Sequence, residues 1–170
     1  MNQSRLGIAL ATLVVVGFQL AVFTQWRVAG VVVMLVWLWP VAVGLTGITS
    51  LAVMTGFVTG LLFDAQCATP FGLNALVGAL LGYVVARLGK EGVGDLDAAA
   101  LWVTPAIAAV AGAAAPVLFV GAGVVALNFS LWRGGLVNSM LVNAVAFFVL
   151  ARPLARLAGR LAAPALRGRR

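Results

Sequence analysis

The sequence predicts an all-α, polytopic membrane protein with six transmembrane helices in one bundle. Its 170 residues are 64% hydrophobic and only 9% charged, whereas a soluble domain is roughly half apolar and a quarter charged. Mean hydropathy is +1.14, so a soluble fold of this chain would expose large apolar patches. The basic residues are also unevenly placed along the chain, as in proteins with several spans. These observations place most of the chain in hydrocarbon.

Three spans are predicted in the first half of the chain. The first apolar core is long for a signal peptide, and no cleavage pattern follows it, so we expect an uncleaved span. Residues 28–63 carry no charge, and as one helix they would measure about 54 Å against a hydrocarbon core of about 30 Å. The chain must therefore turn, and two glycines with small hydroxyl residues over 44–50 mark the place. The expected helices are 6–24, 29–45 and 49–64.

Three more spans are predicted in the second half. Thr69 and Pro70 are residue types that suit a helix N-cap and the first helical position. Asp95 and Asp97 suit the start of the following helix, because acidic side chains are favourable near a helix N-terminus. The expected helices are 70–88, 98–120 and 135–151, followed by a basic amphipathic cytoplasmic tail over 152–170.

The basic residues favour six spans over five. With six spans both termini lie on one side, together with nine of the 11 Lys and Arg residues. With five spans the two termini lie on opposite sides, and nine basic residues would lie outside the cell. Because cytoplasmic segments carry the excess of Lys and Arg, we expect both termini in the cytoplasm.

The inventory of reactive side chains argues against an enzyme. The chain has no histidine, a single cysteine (Cys67) and four acidic residues. Catalysis usually needs a general base, an activated nucleophile or a metal cluster. We therefore expect no catalytic residue, no metal site and no cofactor. The net charge of +7 indicates membrane orientation and contact with anionic lipid, and not nucleic-acid binding.

Small residues recur every four positions on the third and fourth predicted helices. Gly56, Gly60 and Asp64 share one face, and Asn74 begins a similar face on the next helix. Such faces let two helix backbones approach closely in lipid. They either pack these two helices within the monomer or form a docking face for a partner's membrane helix. The candidate helix-packing residues are Gly56, Gly60, Asp64, Pro70, Gly72, Asn74, Gly78 and Gly82.

Asp64 is the one acidic residue expected near the outer interface. A carboxylate at a helix C-terminus opposes the helix dipole, so it needs a compensating partner. Arg27 and Arg133 are the only cations expected on that side, and either can pair with it. The alternatives are a tether or helix cap, or a proton or ion site.

Two further asparagines place polar groups inside the sixth predicted helix. Asn138 and Asn143 would each seek a hydrogen-bond partner across the bundle. They serve either as interhelical contacts or as the lining of a small ligand cavity.

The first three arginines of the tail recur every fourth residue with leucine between, which is typical of an amphipathic helix at the inner interface. Each arginine contributes about 1 kcal/mol of attraction near an anionic leaflet. The tail anchors the topology and contacts lipid, and docking to a cytoplasmic protein is compatible with this. Its arginines are Arg152, Arg156, Arg160, Arg167, Arg169 and Arg170.

Residues 56–83 resemble the bacterial rod shape-determining protein family MreD. The shared order is G-F-x-x-G-L-L-x-D, then P-F-G-L-x-A-L, then G-Y. The resemblance implies a fold similar to the substrate-binding components of energy-coupling-factor transporters. It also implies a non-enzymatic scaffold in the inner membrane that binds MreC through membrane helix packing. The further partners it implies belong to the peptidoglycan-synthesising elongation machinery: MreB, RodA and a penicillin-binding protein.

Two other functions compete with the scaffold. The first is the substrate-binding component of a vitamin transporter, whose A-x-x-x-A docking face is approached here by Gly7-x-x-x-Ala11. The second is a lipid-handling membrane enzyme, which would depend on Asp64. The scarcity of carboxylates and the missing histidine argue against that enzyme.

Overall fold

The structure is a computed structural model that describes residues 3–23, 27–28, 31–66, 71–91 and 129–167. These residues are helical apart from turns and one antiparallel ladder of two residues per strand, which confirms the all-α class. The helices are α1 (Gln3–Phe18), which continues as a π-helical segment (Gln19–Phe23), α2 (Leu35–Gly44), α3 (Thr49–Asp64), α4 (Leu73–Glu91) and α5 (Phe129–Arg167). The ladder pairs β1 (Arg27–Val28) with β2 (Val31–Val32).

The turn between α2 and α3 lies where the glycines predict it. The Thr46 hydroxyl donates a 2.7 Å hydrogen bond to the Val43 carbonyl. Gly47 follows with φ of 73°, a left-handed conformation that glycine adopts without steric cost. α3 then begins at Thr49 and ends at Asp64, the bounds expected from the sequence.

Other boundaries differ from the expectation. α2 begins at Leu35 and not at 29, because β2 occupies the residues just before it. α4 begins at Leu73 and not at 70, because Gly72 has φ of 96°, which is incompatible with a right-handed helix.

The last helix is longer than predicted at both ends. α5 is one element from Phe129 to Arg167, whereas a span over 135–151 followed by a separate tail was expected. It bends by 53° between Leu141–Leu150 and Pro153–Ala163, and a proline inside a helix is a usual cause of such a bend. The predicted fifth helix, 98–120, lies outside the described residues.

The bundle is built around α2, whose ten residues are all buried. A helix that is apolar on every side belongs in the centre of a fold. α1, α3, α4 and α5 all contact it. The buried apolar residues form three core clusters, and we name each cluster by one member. The Ile8 cluster contains Ile8, Trp39, Ala42, Val43, Ile48, Ala52, Ala86, Ala158 and Ala162. The Phe147 cluster contains Val33, Leu35, Leu38, Val41, Leu45, Val85 and Phe147, and the Phe63 cluster contains Val36, Trp37, Phe63 and Val77.

The clusters define the direction of each helix. α1 and α3 run from the Ile8 cluster towards the Phe63 cluster, and α2 and α4 run back. α5 also runs towards the Ile8 cluster, because Asn143 accepts a hydrogen bond from the Met34 amide at the start of α2, whereas Ala158 lies in the Ile8 cluster. α4 and α5 therefore point in the same direction.

The outer surface of the bundle is apolar on four helices. Among the described helices, only the segment Arg5–Val22 is by itself long and apolar enough to cross a membrane. The two bent parts of α5, taken together as one span, make a second candidate. Three shorter apolar helices accompany them. The exposed large apolar side chains of these helices are Leu6, Leu10, Leu13, Val14, Phe18, Met54, Phe57, Val58, Leu76, Leu80, Tyr83, Val84, Leu88, Leu141, Val145, Phe148, Val149 and Leu157.

The C-terminal part of α5 packs against the bundle. Ala158 and Ala162 are fully buried in the Ile8 cluster. Leu161 contacts Gly7 of α1 so closely that a Cβ at Gly7 would lie 3.0 Å from its Cδ2 atom. Arg156 and Arg160 are exposed on the other side. This segment is therefore an amphipathic helix whose apolar face packs on the core of the bundle.

Candidate functional site

The small residues of α3 and α4 face each other within the chain. A Cβ atom built on Gly56 would collide with the backbone of Gly78, and one built on Gly60 would collide with the backbone of Asn74. A Cβ atom on Gly82 would lie 2.5 Å from the Ala52 carbonyl oxygen. Real Cβ atoms essentially never approach another atom so closely. The two antiparallel helices therefore pack with backbone against backbone.

This geometry distinguishes the two interpretations of the glycine pattern. Gly56, Gly60, Gly78 and Gly82 are buried between α3 and α4. A partner's helix cannot reach them while these helices are packed together. The pattern is therefore used for packing within the monomer, which is one of the two alternatives that the sequence leaves open.

Asp64 caps the start of α4. Its Oδ2 atom accepts hydrogen bonds from the backbone nitrogens of Gly72 at 3.0 Å and Ala75 at 3.2 Å. Its Oδ1 atom accepts from Asn74, through the backbone nitrogen at 3.3 Å and the side-chain Nδ2 at 2.7 Å. The first N–H groups of a helix have no partner within the helix, so this carboxylate satisfies them. Asp64 is 3% exposed.

The cap matches one of the two roles expected for Asp64. It also explains Gly72, whose left-handed conformation precedes α4 and whose N–H group points to the carboxylate. Pro70, which was expected to begin the helix, lies outside the described residues. Arg27 is in β1 and Arg133 is in α5, but their side chains lie outside the described part of the chain. Their pairing with Asp64 stays a prediction.

The start of α2 is capped by side chains from other helices. Asn143 Oδ1 accepts a 2.9 Å hydrogen bond from the Met34 backbone nitrogen, and Gln19 Oε1 accepts one of 3.4 Å from that of Val36. Met34 at the N-cap position makes no side-chain cap itself. Asn143 therefore acts as an interhelical contact, one of the two roles expected for it. Asn138 is exposed.

A further buried hydrogen bond was not found from the sequence. The Trp39 Nε1 atom donates to the Thr12 hydroxyl at 3.0 Å, and that hydroxyl donates to the Ile8 carbonyl at 2.8 Å. The sequence feature that indicates this bond is the spacing along α1, because Ile8, Thr12 and Gln19 share one face of the helix. All three are buried.

Two buried N–H donors keep no hydrogen-bond partner within the part of the chain that the structure describes. They are Gln19 Nε2 and Trp37 Nε1. Both residues lie near the start of α2, and their exposed fractions are 0% and 2%. Gln19 also begins the π-helical segment, a geometry that is frequent at functional sites.

Four exposed arginines lie on the helices that meet at the Ile8 cluster. They are Arg5, Arg87, Arg156 and Arg160. Arg87 donates from Nε to the Tyr83 hydroxyl at 3.3 Å, and its guanidinium lies 5.6 Å from the centre of the Tyr83 ring. Arg152 and Arg167 are in α5 with side chains outside the described part, as are Arg169 and Arg170 entirely.

Fold and site together define a class: an all-helical protein with an apolar exterior and polar side chains that bond internally. Among the described residues, no group of three or more His, Cys, Asp or Glu side chains is placed to hold a metal ion. The chain matches no protein-family model, no curated protein and no solved structure in the three comparisons made.

Proposed function

We propose that the protein is a non-enzymatic, six-span scaffold of the bacterial cell-elongation machinery that binds MreC in the inner membrane. The single observation that carries the scaffold role is the division of polar and apolar groups. Asp64, Asn74 and Asn143 bond within the core, while large apolar side chains cover the outside of four helices. Such a surface suits lipid and other membrane helices. The identity of the machinery rests on the resemblance of residues 56–83 to MreD.

The direction of the helices supports the six-span arrangement. α4 and α5 point the same way, so a chain that changes sides with every span needs one more span between them. The sequence predicts that span over 98–120. The proposed bundle is similar in span number to the substrate-binding components of energy-coupling-factor transporters.

The closed α3–α4 contact changes where the partner is expected. Because the glycines of this contact are buried, a helix of MreC would meet one of the outward apolar stripes. The stripe on α1 includes Leu10, Leu13 and Phe18, each more than half exposed at 56%, 57% and 51%. Its apolar side chains can pack against a partner without loss of internal hydrogen bonds.

Co-purification tests the proposed function. We expect tagged protein from native membranes, solubilised in mild detergent, to recover MreC well above the level of an equally tagged, unrelated polytopic protein. Substituting Ala at Leu10 and Leu13 should lower this recovery, whereas Ala at the exposed Met54 of α3 serves as the matched control. Recovery of MreC no higher than with the unrelated protein would reject the scaffold.

The second candidate is a vitamin-binding transporter component, and the unpartnered donors favour it. Gln19 Nε2 and Trp37 Nε1 can donate to a carbonyl or carboxylate of a small ligand. A B-vitamin that raises the thermal unfolding temperature of the pure protein, with the effect lost in Gln19→Leu, would support this candidate.

Cysteine labelling tests the proposed topology. In a Cys67→Ser background we expect a cysteine at position 167 to react only after the membrane is opened, and one at position 130 to react in intact cells. The reason is the excess of basic residues on the cytoplasmic side. A membrane-impermeant maleimide measures both positions, and the reverse pattern would contradict six spans with cytoplasmic termini.

A further inference from the structure

We propose that the end of the bundle at the Ile8 cluster binds the headgroups of anionic phospholipids through Arg5, Arg87, Arg156 and Arg160. The inference rests on the membrane placement proposed above. It goes beyond a basic tail, because the surface combines the tail segment with the start of α1 and the end of α4.

The core brings these three segments together. Ile8, Ala86 and Ala158 are members of the same buried cluster, although they are far apart in sequence. Arg5 lies one helical turn before Ile8, and Arg87 directly follows Ala86. The contact between Gly7 and Leu161 holds the start of α1 on the tail segment. Four exposed arginines therefore share one end of the molecule.

Each of the three segments places a leucine beside its arginine. Leu6, Leu88 and Leu157 directly follow Arg5, Arg87 and Arg156, and they are 46%, 43% and 43% exposed. Paired arginine and exposed leucine suit the boundary between headgroups and acyl chains, where both the charge and the apolar group are solvated. An acidic protein in water would satisfy the arginines and leave the leucines exposed. The pairs therefore favour lipid.

Tyr83 indicates the depth of this boundary. Its ring lies beneath the Arg87 guanidinium at 5.6 Å, and its hydroxyl accepts from Arg87 Nε. Tyrosine is enriched at the level of lipid headgroups because one end is apolar and the other polar. The contact holds the guanidinium next to the outer face of α4, where a lipid phosphate can approach it.

Asp64 is the one acidic residue whose side chain the structure describes. Asp64 lies at the opposite end, where it caps α4. Arg5, Arg87, Arg156 and Arg160 place positive charge at this end, and positive charge attracts anionic headgroups.

The test compares two spin-labelled lipids around the full chain in phosphatidylcholine vesicles. We expect labelled phosphatidylglycerol to be motionally restricted by the protein in preference to labelled phosphatidylcholine. Changing all four arginines to glutamine should bring the ratio of the two association constants close to one. Each single change should lower it by up to about fivefold, the equivalent of about 1 kcal/mol per arginine. Changing all four to lysine should preserve the preference.

Two controls keep the outcomes distinct. Arg27 is in β1, outside this surface, so Arg27→Gln should leave the ratio of the two association constants unchanged. Vesicle flotation of every variant reports whether the protein is inserted, and failure of the wild-type chain to float would defeat the membrane placement itself. If the variant with four glutamines floats with the vesicles and keeps its preference for phosphatidylglycerol, the proposed headgroup surface is overturned, whereas the membrane placement is not. Capture of the wild-type protein by polyglutamate, together with no preference for phosphatidylglycerol, would also overturn this surface, because that result is expected for a surface that binds an acidic protein. The vesicles contain no MreC, so the ratio is independent of scaffold binding.

Discussion

Replacing Gly56 with leucine should destabilise the protein more than any exposed substitution, by about 3 kcal/mol or enough to prevent folding. The new Cβ atom would overlap the backbone of Gly78, and backbone cannot move aside as a flexible side chain can. α3 and α4 would have to separate along their whole contact. Unfolding by dodecyl sulfate in mixed micelles, followed by circular dichroism, measures the change in the free energy of unfolding.

Gly17→Leu is the matched control for this prediction. Gly17 also lies in a helix, but a Cβ atom there would meet nothing within 4 Å. Leucine has a higher helix propensity than glycine, so this variant should be as stable as the wild type or more stable by up to about 1 kcal/mol. Equal stability of the Gly56 and Gly17 variants would contradict the close α3–α4 packing.

Replacing Asp64 with alanine should cost about 3 kcal/mol, because the buried N–H groups that start α4 lose their acceptor. The amides of Gly72, Asn74 and Ala75 bond directly to this carboxylate. Their hydrogen exchange should therefore accelerate more than that of amides in the middle of α4. Exchange measured by mass spectrometry on the micelle-bound protein reports this local effect.

The Asp64→Asn variant distinguishes a carboxylate that only caps α4 from one that has a further function. Asparagine keeps one oxygen acceptor, so about half of the stability loss should be recovered. If Asp64→Asn were as stable as the wild type and yet lost MreC binding or an activity, the carboxylate would have a role beyond the cap. Unchanged exchange at Gly72 and Ala75 in the alanine variant would contradict the cap itself.

The α3–α4 pair is the part of the fold that the sequence predicts best. The four-residue spacing of Gly56 and Gly60, and the change to turn-forming residues over 44–50, are local features, and local features are visible in a sequence. The spacing could not show whether the opposite face belongs to this chain or to a partner. That choice depends on α4 returning alongside α3, which only the three-dimensional arrangement reveals.

The start of α2 and the end of α5 were not predictable in the same way. The acceptors that cap α2 come from Gln19 and Asn143, which are 17 and 109 positions from the groups they bind. No pattern near Leu35 indicates them. In the tail, the spacing of Arg156 and Arg160 indicates a polar face, but it does not show that the apolar face packs on α1.

The cap on α2 has a consequence for biosynthesis. α2 leaves the ribosome early, but the Asn143 acceptor for the Met34 amide is synthesised more than a hundred residues later. Until then the centre of the bundle lacks one of its polar contacts. Nascent chains released before that residue should therefore be recognised by membrane quality-control proteases, even when every earlier span has inserted correctly.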